Sequence, residues 1–212
     1  MIEFVYIIDD DADVRVDLRE LVSSSGSRIA QAFATAEAFL ARADELDPGV
    51  VLLDLELPGM SGLELLERLA PLKSGFVVLI QSGRGNIAAA VQAVRAGALD
   101  FLEKPYSGTA LFDGLERAFA ALRADAAERA CKDNAQRRLA TLSERERQTA
   151  ELLMRGATNR EVAEQLSISV RTAEVHRTKL MAKMQVGSLA ELVRALLLVK
   201  SNSSICAPAD NT

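Results

Sequence analysis

The chain has 212 residues, 49% of them hydrophobic and 26% charged, a composition that excludes a disordered or fibrous protein and predicts one large or two small domains. No apolar run approaches the roughly 18 residues of a membrane span, and the first run is too short and acid-flanked for a signal peptide, so we expect a cytoplasmic protein without membrane contact. The net charge of −5 is unevenly divided, since residues 1–122 hold 10 Lys and Arg against 19 Asp and Glu, whereas residues 123–200 hold 15 against 10.

Short apolar runs alternate with helical patterns over residues 1–122. Five runs are predicted strands: Phe4–Ile8, Arg28–Phe33, Val50–Asp54, Phe76–Gln81 and Asp100–Lys104. Amphipathic stretches predict helices near residues 13–25, 36–46, 62–70, 87–96 and from 107 onward. This βα alternation predicts a doubly wound (βα)5 α/β domain with a parallel sheet covered on both faces.

The second half has only helical patterns. Three pairs fit the capping box, Ser143 with Glu146, Thr158 with Glu161 and Ser188 with Glu191, and Ser169 is a cap without the acid. These caps predict four helices, near residues 144–155, 159–166, 170–184 and 189–199, with Gly156 and Gly187 where helices should stop. The Ala-rich segment 123–141 contains no Gly or Pro and favours a helical linker, with a frayed polar linker as the alternative. We therefore expect an all-α domain over residues 142–199, followed by a disordered tail over residues 200–212.

Four of the five predicted strands end in polar residues: Asp9, Asp10, Asp11, Asp54, Ser82 and Lys104. Because the carboxyl ends of parallel strands meet at one edge of a sheet, these side chains should converge. Crowded carboxylates repel one another, and a hard cation such as Mg²⁺ relieves that repulsion. An oxygen of Asp54 is then placed to attack a phosphoryl group whose charge Lys104 balances.

Four segments with this spacing carry a family resemblance: IIDDD, LLDLELPGMSGLELL, QSGRGN and GALDFLEKP. They resemble the receiver domain of two-component response regulators over residues 1–122. The resemblance implies that Asp54 is the phosphoacceptor. It also implies that Mg²⁺ or Mn²⁺ is held by Asp9, Asp10, Asp54 and the backbone carbonyl of Glu56.

The same resemblance implies the rest of the phosphoryl site. Ser82 and Lys104 are expected to bind the phosphoryl group, and Phe101 to act as an aromatic switch that turns inward with Ser82. A histidine kinase is the expected donor. The peptide bond between Lys104 and Pro105 is expected to be cis.

Three residues depart from the usual receiver pattern. Gln81 is polar where the fourth strand is usually apolar, which puts its burial in question. Glu56 and Arg84 have opposite charges two residues beyond Asp54 and Ser82. We hypothesise that they pair and hinder the water that hydrolyses the aspartyl phosphate, with two solvated surface charges as the alternative.

Helices 159–166 and 170–184 have the spacing of a helix-turn-helix. Apolar residues of the first helix and turn are predicted to pack against the second: Val162, Ala163, Leu166, Ile168 and Val170 against Ala173, Leu180 and Met184. The opposite face of the second helix is a mixed surface suited to a major groove. A generic amphipathic helix with a solvated face is the alternative.

The segment LSERERQTAELLMRGATNREVAEQLSISVRTAEVHRTKLMAKM, followed by SLAELVRALLL, resembles the LuxR-type DNA-binding domain. Over residues 1–199 the chain resembles FixJ-type members of the NarL/FixJ response regulator family. The resemblance implies double-stranded DNA and RNA polymerase as partners. The implied DNA-binding residues lie on one helix: Arg171, Thr172, Glu174, Val175, His176, Thr178, Lys179 and Lys183.

The last predicted helix carries one dense apolar stripe, formed by Leu189, Leu192, Val193, Leu196 and Leu197. A stripe this dense could belong entirely to the core of the domain. It has more apolar residues than the core of a small domain needs, however, and this excess suggests self-association. We expect a homodimer on phosphorylation or on DNA, with Leu189, Leu192, Val193 and Leu196 as its dimerisation residues. Two copies of the DNA-reading helix should then lie about 34 Å apart.

Together these patterns predict a phosphorylation-controlled transcription factor and not an enzyme. A receiver that acts through protein contacts or as a phosphate sink is one alternative. A haloacid-dehalogenase-like phosphatase is another, because the DxD of Asp9 and Asp11 is typical of that class, but it leaves Asp54 unexplained. Constitutive DNA binding is a third, which the intact acidic pocket argues against.

Overall fold

The computed structural model describes residues 2–24, 26–69, 75–83 and 87–200. Five strands are present there: β1 Glu3–Ile8, β2 Arg28–Phe33, β3 Gly49–Asp54, β4 Phe76–Ser82 and β5 Asp100–Glu103. The helices are α1 Ala12–Ser23, α2 Ala36–Leu40, α3 Gly62–Leu69, α4 Ile87–Arg95, α5 Gly108–Ala140, α6 Glu144–Met154, α7 Asn159–Leu166, α8 Val170–Met184 and α9 Leu189–Lys200. The predicted fold class is confirmed.

The chain divides into two compact units, Met1–Ala126 and Ala127–Thr212. Residues 123–140, expected to be a helical linker, belong to α5. The expected tail lies almost wholly in residues 201–212, outside the described part of the chain. The domain limits given above remain predictions.

The first unit contains a five-stranded parallel sheet in the order β2-β1-β3-β4-β5. The central strand β3, with the sequence GVVLLD, is buried at every position because helices cover both faces of the sheet. The carboxyl ends of all five strands therefore lie along one edge.

Successive residues of each strand contribute to two separate cores, as the pleat of a strand requires. One core joins alternate strand residues to α1 and α5, and includes Ile7, Leu18, Leu52, Leu79, Leu111 and Leu115. The other joins the remaining strand residues to α2, α3 and α4, and includes Ile8, Phe39, Leu53, Leu65, Ile80 and Ala93. The predicted helix 36–46 is wrong in its second half, because α2 ends at Leu40 and only a 3₁₀ turn, Ala43–Glu45, follows.

The second unit has its own core, with Leu153, Val162, Leu180, Met184 and Leu192 among its buried residues. The predicted capping boxes of Ser143 with Glu146 and Thr158 with Glu161 are both present. The predicted box of Ser188 with Glu191 is half formed, because the Glu191 N–H donates to the Ser188 hydroxyl at 3.2 Å but Glu191 Oε2 accepts from the Gly187 N–H. All four predicted helices, α6 to α9, are present.

Two predictions about helix ends and packing in this unit are wrong. Gly187 does not end α8, because Gln185 takes the left-handed conformation at φ 54° instead. Val170 is 44% exposed and does not join the core, because it is the first residue of α8, next to the N-cap Ser169. Ala173, Leu180 and Met184 are buried as predicted.

Candidate functional site

Three of the predicted site residues meet at the carboxyl edge of the sheet. Asp9 follows β1, Asp54 ends β3, and Lys104 follows β5. Lys104 Nζ donates to Asp9 Oδ2 at 2.7 Å and to Asp54 Oδ2 at 2.6 Å. Asp9 is 1% exposed and Asp54 8%, so one ammonium group links two buried carboxylates.

Asp9, Asp10 and Asp54 form the group of acidic side chains that fits a cation. Each offers a carboxylate oxygen, and these oxygens lie within 4.8 Å of one another among the residues that the structure describes. Asp10 is exposed, which leaves the site open to water on one side. Hard oxygen donors with room for water match the preference of Mg²⁺. The role of the Glu56 carbonyl stays a prediction; the Glu56 N–H donates to Asp54 Oδ1 at 3.0 Å.

The charge of Lys104 is favoured by this arrangement. Its partial burial alone would lower the pKa of Lys104, but hydrogen bonds from its ammonium to Asp54 and Asp9, and their negative charges, outweigh burial and raise that pKa. Lys104 is therefore a cation beside Asp54 across the whole physiological pH range.

The loop after β1 is held by contacts that the sequence analysis did not identify. Arg15 Nη1 donates to the Asp9 carbonyl at 2.7 Å, and the Asp11 N–H donates to Asp9 Oδ1 at 3.0 Å. Asp11 is also the N-cap of α1. These contacts leave Oδ2 of Asp9 to Lys104. Arg15 is one helical turn after Asp11, the only sequence signal that could have indicated its role.

Gly62 holds the loop after β3 close to the phosphoacceptor candidate. A Cβ at this position would lie 2.2 Å from the Asp54 carbonyl oxygen, a distance that no side chain can tolerate. The Gly62 N–H donates to the Leu55 carbonyl at 3.2 Å. The start of α3 can therefore pack against the end of β3 only because residue 62 is glycine.

The predicted switch residues lie on β4 and β5. Ser82 is fully buried, and its hydroxyl has no hydrogen-bond partner among the described residues. Its carbonyl accepts from the Lys104 N–H at 2.8 Å. Phe101 is half-buried and packs against the core beneath α2, α3 and α4. The Lys104–Pro105 bond is cis, as expected. The switching role of these residues stays a prediction.

Gln81, the polar residue predicted to be unusual on the fourth strand, is buried and hydrogen-bonded. Gln81 is fully buried, and Tyr106 Oη donates to its Oε1. Burial raises the pKa of Tyr106 to about 12; Lys104 opposes this rise, while Asp9 and Asp54 add to it. Tyr106 was not among the predicted site residues, although it directly follows Pro105 in the sequence. Arg84 lies outside the described residues, so its pairing with Glu56 stays a hypothesis.

In the second unit, α8 presents the predicted mixed face to solvent. Seven of the eight candidate DNA-binding residues are exposed: Arg171, Thr172, Glu174, Val175, Thr178, Lys179 and Lys183. Five of them line a shallow groove: Arg171, Glu174, Val175, Thr178 and Lys179. His176 is half-buried. Contact of these side chains with DNA stays a prediction.

Lys183 differs from the other candidates because its ammonium is bound within the unit. Its Nζ donates to Glu146 Oε2 at 2.6 Å and to the Thr141 carbonyl at 3.1 Å. Glu146 is 3% exposed and also accepts from the Ser143 N–H. The hydrogen bond from Lys183 is the main cause that lowers the pKa of Glu146 to about 2. This geometry favours a structural role for Lys183, and its predicted phosphate contact would need a free ammonium.

We expect the second unit to lose stability as the pH falls from about 4.5 towards 2. Glu146 titrates near its ordinary pKa of 4.5 when unfolded and near 2 when folded, so its stabilisation is complete above 4.5 and disappears through this window. Because solvent screens the exposed Lys183 end of the Lys183–Glu146 pair, we expect the free energy of unfolding to fall by about 1 to 2 kcal/mol. Urea midpoints from α8 amide NMR signals measure it, and Glu146→Gln should remove this pH dependence.

The stripe on α9 is divided between core and surface. Leu192 and Leu196 are buried in the core of the unit, so their predicted contact with a second chain is wrong. Leu189 and Leu197 are exposed and Val193 is half-buried. Of the predicted stripe, these three residues remain accessible for contact with a second copy of the chain.

Within the described part of the chain, none of the helices combines the length and apolar character needed to cross a membrane.

Two family models match the chain. The response regulator receiver domain matches residues 5–116, and the luxR family of bacterial regulatory proteins matches residues 140–196. The transcriptional regulatory protein FixJ of Rhizobium meliloti (strain 1021) is 42% identical over 193 residues, which are 91% of this chain and 94% of that protein. The tetrathionate response regulatory protein TtrR of Salmonella typhimurium (strain LT2) is 38% identical over 190 residues, or 90% of each chain.

Solved structures give the same result over nearly the full length. A low-resolution structure of the response regulator StyR matches with a TM-score of 0.77 at 34% identity, covering 93% of this chain and 99% of StyR. Full-length FixJ from B. japonicum matches with a TM-score of 0.58 at 39% identity, covering 94% and 98%. The relatives are regulators, which confirms that the chain is not an enzyme and leaves the phosphatase alternative without support. The chain belongs to the FixJ-type response regulators, in which a receiver domain precedes a LuxR-family domain.

Proposed function

We propose that the chain is a transcription factor that accepts a phosphoryl group on Asp54 from a histidine kinase and then binds duplex DNA. The main support is the ammonium of Lys104, which contacts both Asp54 and Asp9 at the edge where ligands bind in such sheets. A carboxylate nucleophile beside a fixed cation is the arrangement that phosphoryl transfer needs.

In the proposed reaction an oxygen of Asp54 attacks the phosphorus of a phosphohistidine. The P–N bond breaks, its electron pair returns to the imidazole, and the product is an aspartyl phosphate. Lys104 balances the charge of the phosphoryl oxygens, and the hydroxyl of Ser82, which has no partner among the described residues, donates to one of them. Asp9, Asp10, Asp54 and the Glu56 carbonyl would hold Mg²⁺, which would neutralise more of that charge when bound.

Phosphorylation is proposed to favour one of two conformations that already exist. Ser82 moves towards the phosphoryl group, Phe101 turns inward, and the surface over residues 87–117 becomes a dimer interface. Three exposed apolar residues on this surface support the proposal: Val91, Val94 and Leu99. The exposed residues of α9 are the proposed second contact, formed on DNA.

The exposed face of α8 is proposed to enter the major groove. Glu174, Val175 and Thr178 would face base edges, while Thr172, His176 and Lys179 would contact or approach phosphates, with Arg171 beside them. The name of FixJ as a transcriptional regulatory protein supports control of transcription. The proposed factor acts in the cytoplasm and together with RNA polymerase.

Mass spectrometry and footprinting test the two halves of this proposal separately. After incubation with acetyl phosphate and Mg²⁺, we expect one added phosphate on Asp54. Phosphate on another side chain, or none, would contradict the receiver half. Genome-wide footprints of the wild type beside Asp54→Ala test the second half; a phosphorylated sample without sequence-specific footprints would instead indicate a phosphate sink.

Replacing Lys179 with alanine is expected to weaken binding to all duplex sequences alike. The exposed ammonium faces the backbone in the proposed complex, so its loss should reduce the slope of log affinity against log salt by about one charge. Fluorescence anisotropy with specific and random duplexes over a salt series measures this slope. An unchanged slope would place Lys179 away from the phosphates.

Replacing Glu174 with alanine is expected to relax base preference at one operator position. A carboxylate repels phosphates but accepts a hydrogen bond from cytosine N4, so it contributes more to specificity than to affinity, by about 1 to 3 kcal/mol. Selection from a randomised duplex library measures the preference. An equal loss of affinity for every sequence would contradict this role.

A further inference from the structure

A polar pair of one fully buried and one half-buried residue, Gln81 and Tyr106, lies beside the acidic site, on the opposite face of the sheet from the Ser82 side chain. Gln81 precedes Ser82 on β4 and is fully buried. Its Oε1 accepts from Tyr106, while its Nε2 has no partner among the described residues. A buried carboxamide is costly unless it is bonded, so the presence of a glutamine at this position needs an explanation beyond packing.

The strand register places Gln81 next to Asp54. The two residues are partners in the pairing of β3 with β4. Gln81 is two residues beyond Leu79, which belongs to the core beneath α1 and α5, so its side chain lies on that face. Tyr106 packs against the same core. The charges of Asp9, Asp54 and Lys104 all act on the Tyr106 phenol, which shows that it lies near the site.

The pair also connects the two segments that hold the phosphoryl-binding groups. Gln81 is one residue before Ser82, and Tyr106 is two residues after Lys104. The Lys104 N–H to Ser82 carbonyl bond joins these segments through the backbone. The Gln81–Tyr106 bond joins these segments again through side chains, on the face of the sheet that α1 and α5 cover.

We propose that the Gln81–Tyr106 hydrogen bond is a positioning contact for phosphoryl transfer. It fixes the end of β4 relative to the segment after β5, and so sets where the Ser82 hydroxyl and the Lys104 ammonium lie around Asp54. Gln81 and Tyr106 are positioning residues, because the effect passes through Ser82 and Lys104. This inference rests on the proposed role of Asp54 as phosphoacceptor.

The test compares Tyr106→Phe, Gln81→Leu and the double variant with the wild-type full-length chain. Tyr6→Phe is the matched control, because it removes the hydroxyl of a buried tyrosine that donates to the Asp47 carbonyl at 2.7 Å. The initial rate of phosphate incorporation from acetyl phosphate is measured for each, together with the urea midpoint from far-UV circular dichroism. We expect about tenfold slower incorporation in both single variants and in the double variant, and a wild-type rate in the control.

The double variant separates positioning from folding stability. Each single variant leaves a buried polar group unpaired and lowers the urea midpoint, whereas removing both partners restores most of that loss. A positioning role keeps the double variant slow despite its restored midpoint. A rate that returns to the wild-type value in the double variant overturns the proposal.

Amide hydrogen exchange tests the contact without any phosphate. The Lys104 amide should exchange about tenfold faster in Tyr106→Phe than in Tyr6→Phe, because its bond to Ser82 opens more often. Equal exchange in the two variants overturns the inference. If the wild type takes no phosphate on Asp54, the proposed function fails, and this exchange measurement alone decides the inference.

Discussion

Replacing Lys104 with alanine is expected to slow phosphorylation of Asp54 about 100-fold, the size of effect seen when one charged or hydrogen-bonding group is removed from a transition state. Lys104 Nζ contacts Asp54 Oδ2 and Asp9 Oδ2, and its loss leaves two buried carboxylates without the cation between them. The initial rate of phosphate incorporation from acetyl phosphate with saturating Mg²⁺ measures the effect.

Lys179→Ala is the control for this prediction, because it removes an exposed lysine of the other unit and should leave the phosphorylation rate unchanged. A rate for Lys104→Ala within threefold of the wild type would show that the ammonium is dispensable for transfer. Circular dichroism spectra and urea midpoints of both variants must show that the fold is kept.

Replacing Arg28 with alanine is expected to destabilise the receiver by about 3 kcal/mol. The Arg28 side chain is 6% exposed and pairs with Glu3 and Glu116. Its guanidinium also lies over the rings of Phe112 and Phe119, 5.6 and 5.4 Å from their centroids. Removing the Arg28 side chain leaves a cavity between β2 and α5. It also leaves the partly buried carboxylate of Glu3 paired with one cation instead of two.

Arg123→Ala is the matched control, since Arg123 pairs with the same Glu3 at 3.0 Å but is 54% exposed. Its loss should cost less than about 1 kcal/mol. The chain has no tryptophan, and both tyrosines, Tyr6 and Tyr106, belong to the first unit, so tyrosine emission during urea unfolding reports on the receiver. Equal losses for the two variants would contradict a special role for the buried guanidinium.

The strands were predictable because burial on both faces makes β1, β3 and β4 continuous apolar runs, and residues that follow such runs must share one edge. That rule alone brought Asp9, Asp54 and Lys104 together across the sequence. Helix starts were equally visible, since capping residues act locally.

The remaining features depend on contacts that no local pattern contains. Leu192 and Leu197 look alike on the α9 stripe, yet the first is buried and the second exposed, because the packing of the other helices determines which part of the stripe is covered. The partner of Gln81 was not predictable for the same reason. Gln185 shows that a non-glycine residue can end a helix where a nearby glycine is the expected stop.

The ion pair between Asp9 and Lys104 joins residues 95 positions apart. During synthesis, Asp54 leaves the ribosome well before the residue that neutralises it, and β5 must still be added to the edge of the sheet. A nascent or truncated chain that ends before residue 104 therefore contains Asp54 without the cation that neutralises it. For the proposed phosphoryl transfer, we expect such an incomplete chain to accept a phosphoryl group at least as slowly as Lys104→Ala, so a fast response needs a receiver that has been made almost to its end.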